Sequence, residues 1–177
     1  MKVKLNTGIP DDERMKIIEE LNKLLADVYV TFVQSRNFHW NVVGPNFIAL
    51  HSKFKELYEM MDTIGDDIAE RIRALDGNPV ATMAQWLDKA SLKEVPTLLA
   101  DEEMVVILIN NLESIVSCMR ELCEDEEDET DETDETEETK AEPNEVDVEI
   151  DEATETMLGA QMVDIEKQVW MLRSFLG

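Results

Sequence analysis

The chain has 177 residues, of which 44% are hydrophobic, and this suits a single globular domain over residues 1–177 with its own core. Its formal net charge of −25 argues against proteins that bind nucleic acid through clustered lysine and arginine. The first residues form no apolar leader, and no run of about 18 apolar residues follows, so we expect a soluble, cytoplasmic protein without a membrane span.

The first predicted element is a helix from about Asp12 to Trp40. Acidic residues at its start suit the positive end of the helix dipole, and apolar residues follow at helical spacing. Gly44 and Pro45 then end this helix and permit a reversal of the chain. From Phe47 to Leu75, apolar residues recur at every third or fourth position, which predicts a long second helix. The two helices form a predicted hairpin.

Three more helices are predicted after the hairpin. A short one covers about Met83 to Ala90, and long ones cover about Thr97 to Cys123 and about Asp151 to Phe175. The expected fold class is therefore all-α, a four-helix bundle with a short extra helix in the crossover between its second and third helices. Cys118 and Cys123 form no Cys-x-x-Cys pair and are predicted to be reduced packing residues.

Most of the negative charge lies between the last two long helices. Residues 124–155 hold nineteen Asp and Glu against one Lys, a net charge of −18 out of −25. Residues 128–139 repeat an acidic-Glu-Thr triplet four times and lack the apolar residues that would offset the entropy of ordering. We expect a disordered loop at about 124–148, without the glycine and alternating aspartates of an EF-hand calcium loop.

The two histidines of the chain, His39 and His51, lie on either side of the predicted hairpin turn. The turn can bring both imidazoles to one end of the bundle, where they can share a transition metal. Asp66 and Glu70 lie one helical turn apart on the second helix, but Asp66 is about 22 Å of helix from His51. If all four residues bind one metal, the carboxylates must come from an antiparallel second subunit, and a two-fold axis then makes two identical sites.

This order of ligands, with the stretches Arg36–Val42 and Asp66–Arg71 around them, resembles the Dps (DNA-protection-during-starvation) family of mini-ferritins. The resemblance runs from about Asp12 to Phe175 and implies a ferritin-like bundle. It also implies a hollow homo-dodecamer, built from two-fold dimers, that binds Fe(II) at inter-subunit ferroxidase sites. Such a shell oxidises the iron with hydrogen peroxide or oxygen, preferably with peroxide, and stores ferric mineral. The iron ligands and catalytic residues that the resemblance implies are His39, His51, Asp66 and Glu70.

One position departs from the family pattern. Many Dps-like chains carry an acidic residue one turn after the second histidine, where it helps to hold a second iron, and this chain has Lys55 there. A cation repels a second ferrous ion, so we expect one firm iron position and one doubtful one. Glu59 and Asp62 on nearby turns are candidates to compensate, although exposed helix carboxylates are usually solvated. Zinc accepts the same ligands and is a possible competitor.

Position suggests further roles for three parts of the chain. Trp40, beside His39, either packs over the metal site or contributes buried area to the core, and core packing is the favoured interpretation. In Dps-like shells the start of the last helix lines a three-fold pore, which makes Asp151, Glu152 and Glu155 candidates for iron entry. The acidic loop either attracts ferrous ions to the shell or serves only as a solubilising repeat.

Two other functions stay open beside the ferroxidase. A nucleoid-binding protector needs basic residues, and the leading segment offers only Lys2 and Lys4 before a run of acidic ones, so direct DNA binding is not expected. A metal-sequestering shell with a weak ferroxidase centre would follow if Lys55 disables the second metal position. The favoured function is an enzyme, a ferroxidase that stores iron and protects against oxidative stress.

Overall fold

A computed structural model of the chain describes residues 5–95, 99–124 and 150–177. No strand occurs within these ranges, so the predicted all-α class is confirmed. No helix in the described ranges has both the length and the apolar character that crossing a membrane requires. The five helices are α1 (Asp11–Asn41), α2 (Phe47–Ala74), α3 (Met83–Lys89), α4 (Asp101–Cys123) and α5 (Glu152–Leu176).

Most helix ends fall within one residue of the predicted ends, and the exception is the start of α4. The apolar pattern predicts a start at about Thr97, and this is wrong because Leu99 and Ala100 are not helical. Ala100 is the N-cap residue, with an extended ψ of 153°. Three acidic residues then fill the first turn of α4, where they stabilise the positive end of the helix. Of the predicted disordered loop, residues 125–148 lie outside the described part of the chain.

One hydrophobic cluster joins the four long helices. Among its members, Phe38 of α1 and Phe54 of α2 are fully buried, with ring centroids 6.0 Å apart. Each aromatic side chain buried in this way contributes about 1.5–3 kcal/mol of stability. The two cysteines of α4 are free and pack against the same cluster, as predicted. Burial raises the pKa of Cys118 to about 11, so its thiol stays protonated and unreactive at neutral pH.

The crossover between α2 and α4 is fastened to α1 by an aromatic stack and a buried carboxylate. The indole of Trp86 in α3 stacks on the ring of Tyr29, with centroids 4.2 Å apart and planes 8° from parallel. Asp27 accepts hydrogen bonds from the hydroxyl of Ser91 at 2.7 Å and from the backbone N–H of Leu92 at 2.9 Å. These contacts hold the crossover along α1, away from the hairpin turn that carries the histidines.

Candidate metal centre

The two histidines meet at the α1–α2 hairpin turn. Their rings stack with centroids 3.8 Å apart and planes 23° from parallel. Nδ1 of His39 lies 2.6 Å from the carbonyl oxygen of His51, and Nδ1 of His51 lies 2.8 Å from the carbonyl oxygen of His39. Because a carbonyl oxygen can only accept, each Nδ1 carries the proton and donates it. In the neutral form of each ring, Nε2 then keeps its lone pair, and this is the atom that a metal would bind.

The backbone of the turn sets this reciprocal arrangement. The backbone N–H of Val42 donates to the carbonyl oxygen of Phe38 at 2.8 Å and closes the end of α1. Gly44 follows with a φ of +115°, a conformation that side chains other than glycine rarely adopt. Phe47 opens α2, and its ring centroid lies 5.0 Å from that of His51. The turn thus brings the end of α1 and the start of α2 so close together that each imidazole reaches the backbone of the other helix.

The candidate carboxylates lie elsewhere on α2. Asp66 and Glu70 are exposed, one turn apart, and the helix rise puts Asp66 about 22 Å from His51. Within the described part of one chain, no group of three or more His, Cys, Asp or Glu side chains is placed to hold a metal ion. A single chain therefore brings the two histidines together and leaves the carboxylates apart from them. The meeting of all four across a two-fold axis stays a prediction.

Asp62 and Asp66 lie near the phenol of Tyr29. Burial raises the pKa of Tyr29, and the charges of the two aspartates raise it further, so the phenol stays protonated at neutral pH. Gly65 makes room for the ring, because a Cβ atom at that position would lie 3.0 Å from a ring carbon of Tyr29. Asp62 is exposed, and its role as an additional iron ligand stays a prediction.

The surroundings of Trp40 correct one interpretation of the sequence. The side chain of Trp40 is 67% exposed, so its favoured role as a core residue is wrong for the chain described. The guanidinium carbon of Arg36 lies 5.5 Å from the ring centroid of Trp40 and 5.0 Å from that of Tyr58. Tyr58 in turn lies edge-on to His39, with centroids 5.4 Å apart. Sequence reasoning missed Tyr58, although its place two helical turns after the second histidine puts it on the same side of α2.

Asp151, a candidate for the iron pore, is engaged at the start of α5. Its carboxylate caps the helix by accepting from the backbone N–H groups of Ala153 and Thr154, and it pairs with Arg71 of α2 at 2.6 Å. Burial alone would raise the pKa of Asp151, but hydrogen bonds from Thr154 and Arg71 outweigh it and hold the pKa below its usual value. The other two candidates, Glu152 and Glu155, are exposed, and a pore role stays a prediction for all three.

Replacing Asp151 should destabilise the chain in a pH-dependent way. We expect Asp151→Ala to lower the free energy of unfolding by about 1 kcal/mol at neutral pH, because it removes the helix cap and the partner of Arg71. A folded-state pKa below the ordinary 3.8 means that this contribution is complete above 3.8 and disappears as the pH falls through the folded-state pKa.

Urea titrations at neutral pH and at about pH 2.5 measure this difference. The gap between the native chain and Asp151→Ala should be smaller at the acidic pH than at neutral pH. Glu152→Ala is the matched control, since Glu152 is an exposed residue of the same turn and its loss should change stability by less than about 0.5 kcal/mol. A gap of equal size at both pH values would contradict the ionic explanation.

Comparison with known proteins gives four likenesses that each cover most of the chain. Residues 18–138 match a family model described as a ferritin-like domain. A DNA protection during starvation protein from Brevibacillus brevis is 38% identical over 88% of this chain and 91% of its own length. DNA protection during starvation protein 2 from Bacillus anthracis is 36% identical over 92% of this chain and 97% of its own. The crystal structure of a Dps protein from Bacillus brevis matches with a TM-score of 0.76 at 35% identity, covering 96% of this chain and all of that one.

Proposed function

This chain belongs to the Dps family of ferritin-like proteins, and on that premise we propose that it is an iron-storing ferroxidase. It binds Fe(II) at sites shared by two subunits, oxidises the iron with hydrogen peroxide in preference to oxygen, and keeps the ferric product inside a shell of twelve subunits. The observation that supports this most is the histidine pair, because both Nδ1 protons are donated to backbone carbonyls and both Nε2 lone pairs are left for iron.

The ligand types suit iron as the substrate. Imidazole nitrogen and carboxylate oxygen together bind Fe(II), and the carboxylate charge favours Fe(III) further, so oxidation is favourable once iron is bound. In the proposed site, His39 and His51 come from one chain, and Asp66 and Glu70 come from the second. Zinc accepts the same ligands without redox chemistry, so it would compete with iron and slow the reaction.

Iron reaches the proposed shell through electrostatic attraction. Glu152 and Glu155 are exposed at the start of α5, where we propose that they line the entry pore. The net charge of −25 on each chain, multiplied by twelve, gives the shell a formal charge of about −300. Such a field concentrates ferrous ions at the surface, and the effect is larger at low ionic strength.

Protection of DNA, which the names of the relatives describe, would be indirect here. The charge that attracts ferrous ions repels the phosphates of DNA, and binding to DNA needs lysines and arginines that neutralise them. We propose that the protein acts in the cytoplasm by removing free iron and peroxide together. Iron held as ferric mineral cannot react with peroxide near a nucleic acid.

The test is anaerobic loading with Fe(II), followed by hydrogen peroxide, while the ferric absorbance is recorded. Oxidation much faster than in buffer alone, and slowed by added zinc, is the expected result. Tight binding of iron without faster oxidation would contradict the proposed ferroxidase activity and would favour a shell that only sequesters metal. Repeating the experiment with dissolved oxygen at the same concentration tests the preference for peroxide, and an equal or faster rate with oxygen would contradict it.

A further inference from the structure

The exposed face of α2 carries a stripe of polar residues whose spacing is symmetrical. Residues three or four apart lie on one face of a helix, and the six stripe positions are separated by four, four, three, four and four residues. Five of them are exposed, and the histidine is half-buried. The spacing is the same from either end, so an antiparallel copy of α2 pairs the first position with the last, the second with the fifth and the third with the fourth. The stripe consists of His51, Lys55, Glu59, Asp62, Asp66 and Glu70.

This symmetry assigns a partner to the lysine of the stripe. With a second copy of the chain on this face, His51 lies opposite Glu70, as the proposed ferroxidase requires, and Lys55 lies opposite Asp66. We propose that the ammonium group of Lys55 is a built-in cation of the shared site: it pairs with Asp66 of the second copy and takes the place of a second iron. The inference rests on the proposed function, since it uses the same pairing of α2 helices.

The charges along the stripe favour this role. Each copy contributes four carboxylates and one ammonium group, and the third and fourth positions bring Glu59 opposite Asp62 near the two-fold axis. Carboxylates that face each other across an interface repel, and a cation between them relieves the repulsion. Lys55 already lies along the stripe, with Nζ 3.5 Å from a carboxylate oxygen of Glu59 and with 53% of its side chain exposed. Its exposed end is available to a second copy.

A single iron at each site changes how peroxide is reduced. Each ferrous ion gives one electron, whereas the conversion of hydrogen peroxide and two protons to two water molecules takes two. The electrons for one peroxide therefore come from two irons that are bound at separate sites, or one after the other at the same site. Asp66 would contact the ammonium group on one side and the iron on the other, so Lys55 is a specificity-determining residue for metal number.

Anaerobic calorimetric titration with Fe(II) measures that number directly. We expect one tightly bound iron per native chain and two per Lys55→Asp chain, because the new carboxylate replaces a repelling cation with a ligand. Lys23→Asp is the matched control and should stay at one, since Lys23 is an exposed α1 lysine paired with Glu20 at 2.7 Å, much as Lys55 is paired with Glu59. Two irons per native chain, or an unchanged number in Lys55→Asp, would overturn the inference. No bound iron in the native chain would overturn the proposed function itself.

A second measurement needs no iron. In the presence of a chelator, Lys55→Asp should weaken self-association by about three- to ten-fold, because a carboxylate then faces a carboxylate across the interface. The double variant Lys55→Asp, Asp66→Lys restores an ion pair with its charges exchanged and should return self-association close to the native value. Sedimentation velocity over a dilution series follows both. If the double variant associates no better than Lys55→Asp, the two residues do not pair and the inference is wrong.

Discussion

Two inactive variants are expected to regain about a quarter of the native ferroxidase activity when their subunits assemble together. His39→Ala and Asp66→Ala should each lose more than about a hundredfold in activity alone, because each removes a proposed iron ligand from every site. In a mixed dimer, the Asp66→Ala chain supplies the histidines and the His39→Ala chain supplies the carboxylates of one intact site. Random pairing makes half of the dimers mixed, and half of their sites are intact.

The control for this experiment is a mixture of His39→Ala with His51→Ala. Both variants are defective on the histidine side, so no pairing of them produces an intact site. Joint refolding of purified subunits, followed by the peroxide assay, compares the two mixtures at equal protein concentration. Equal recovery in both mixtures, or recovery in neither, would show that the four residues do not form a site between subunits.

Phe54→Ala is expected to lower the free energy of unfolding by about 3–5 kcal/mol. The ring is fully buried and packs against that of Phe38, so its loss leaves a cavity as well as removing apolar contacts. The cavity would lie close to the histidine pair, because Phe38 precedes His39 and Phe54 is one turn after His51. Urea titration of the metal-free protein measures the stability, and anaerobic Fe(II) titration should show weaker binding in the same variant.

Two further substitutions serve as controls for Phe54→Ala. Met15→Ala removes an apolar side chain that is 69% exposed, and it should change stability by less than about 0.5 kcal/mol. Phe54→Leu keeps most of the buried volume and should cost less than about 1.5 kcal/mol. A loss below about 1 kcal/mol in Phe54→Ala would mean that the site collapses around the missing ring, contrary to close packing at this end of the bundle.

Apolar spacing predicts the helices well because each long helix buries one stripe in a common core. The same signal fails at the start of α4, where Leu99 packs against the core without being helical. Spacing indicates which residues face the core, and a half-buried residue outside a helix continues the pattern past the helix end. The acidic residues from Asp101 onward, at the positive end of the helix dipole, mark the true start better than the leucines do.

The meeting of the two histidines was predictable from the sequence, but its details were not. Residue types and the hairpin turn are enough to predict that His39 and His51 meet, and they do. The exchange of Nδ1 hydrogen bonds with backbone carbonyls depends on the closeness of the two helix ends, which residue types do not reveal. Trp40 follows buried His39 by one residue, a rotation of about 100° around the helix, and its side chain is exposed. The spacing of apolar residues does not show, at a helix end, which of two adjacent residues is buried. The pairing of Asp151 with Arg71 joins residues from distant parts of the chain.

In the proposed site, the length of α2 between the histidines and the carboxylates would also make activity depend on the amount of protein. A lone chain holds only half of the proposed ligand set, so a newly made monomer would process neither iron nor peroxide. Below the dissociation constant of the dimer, the number of complete sites grows with the square of the chain concentration, and above it the growth is linear. A modest rise in synthesis would therefore produce a disproportionate rise in iron oxidation. Oxidation would also begin only after subunits have started to assemble into the shell that stores the ferric product.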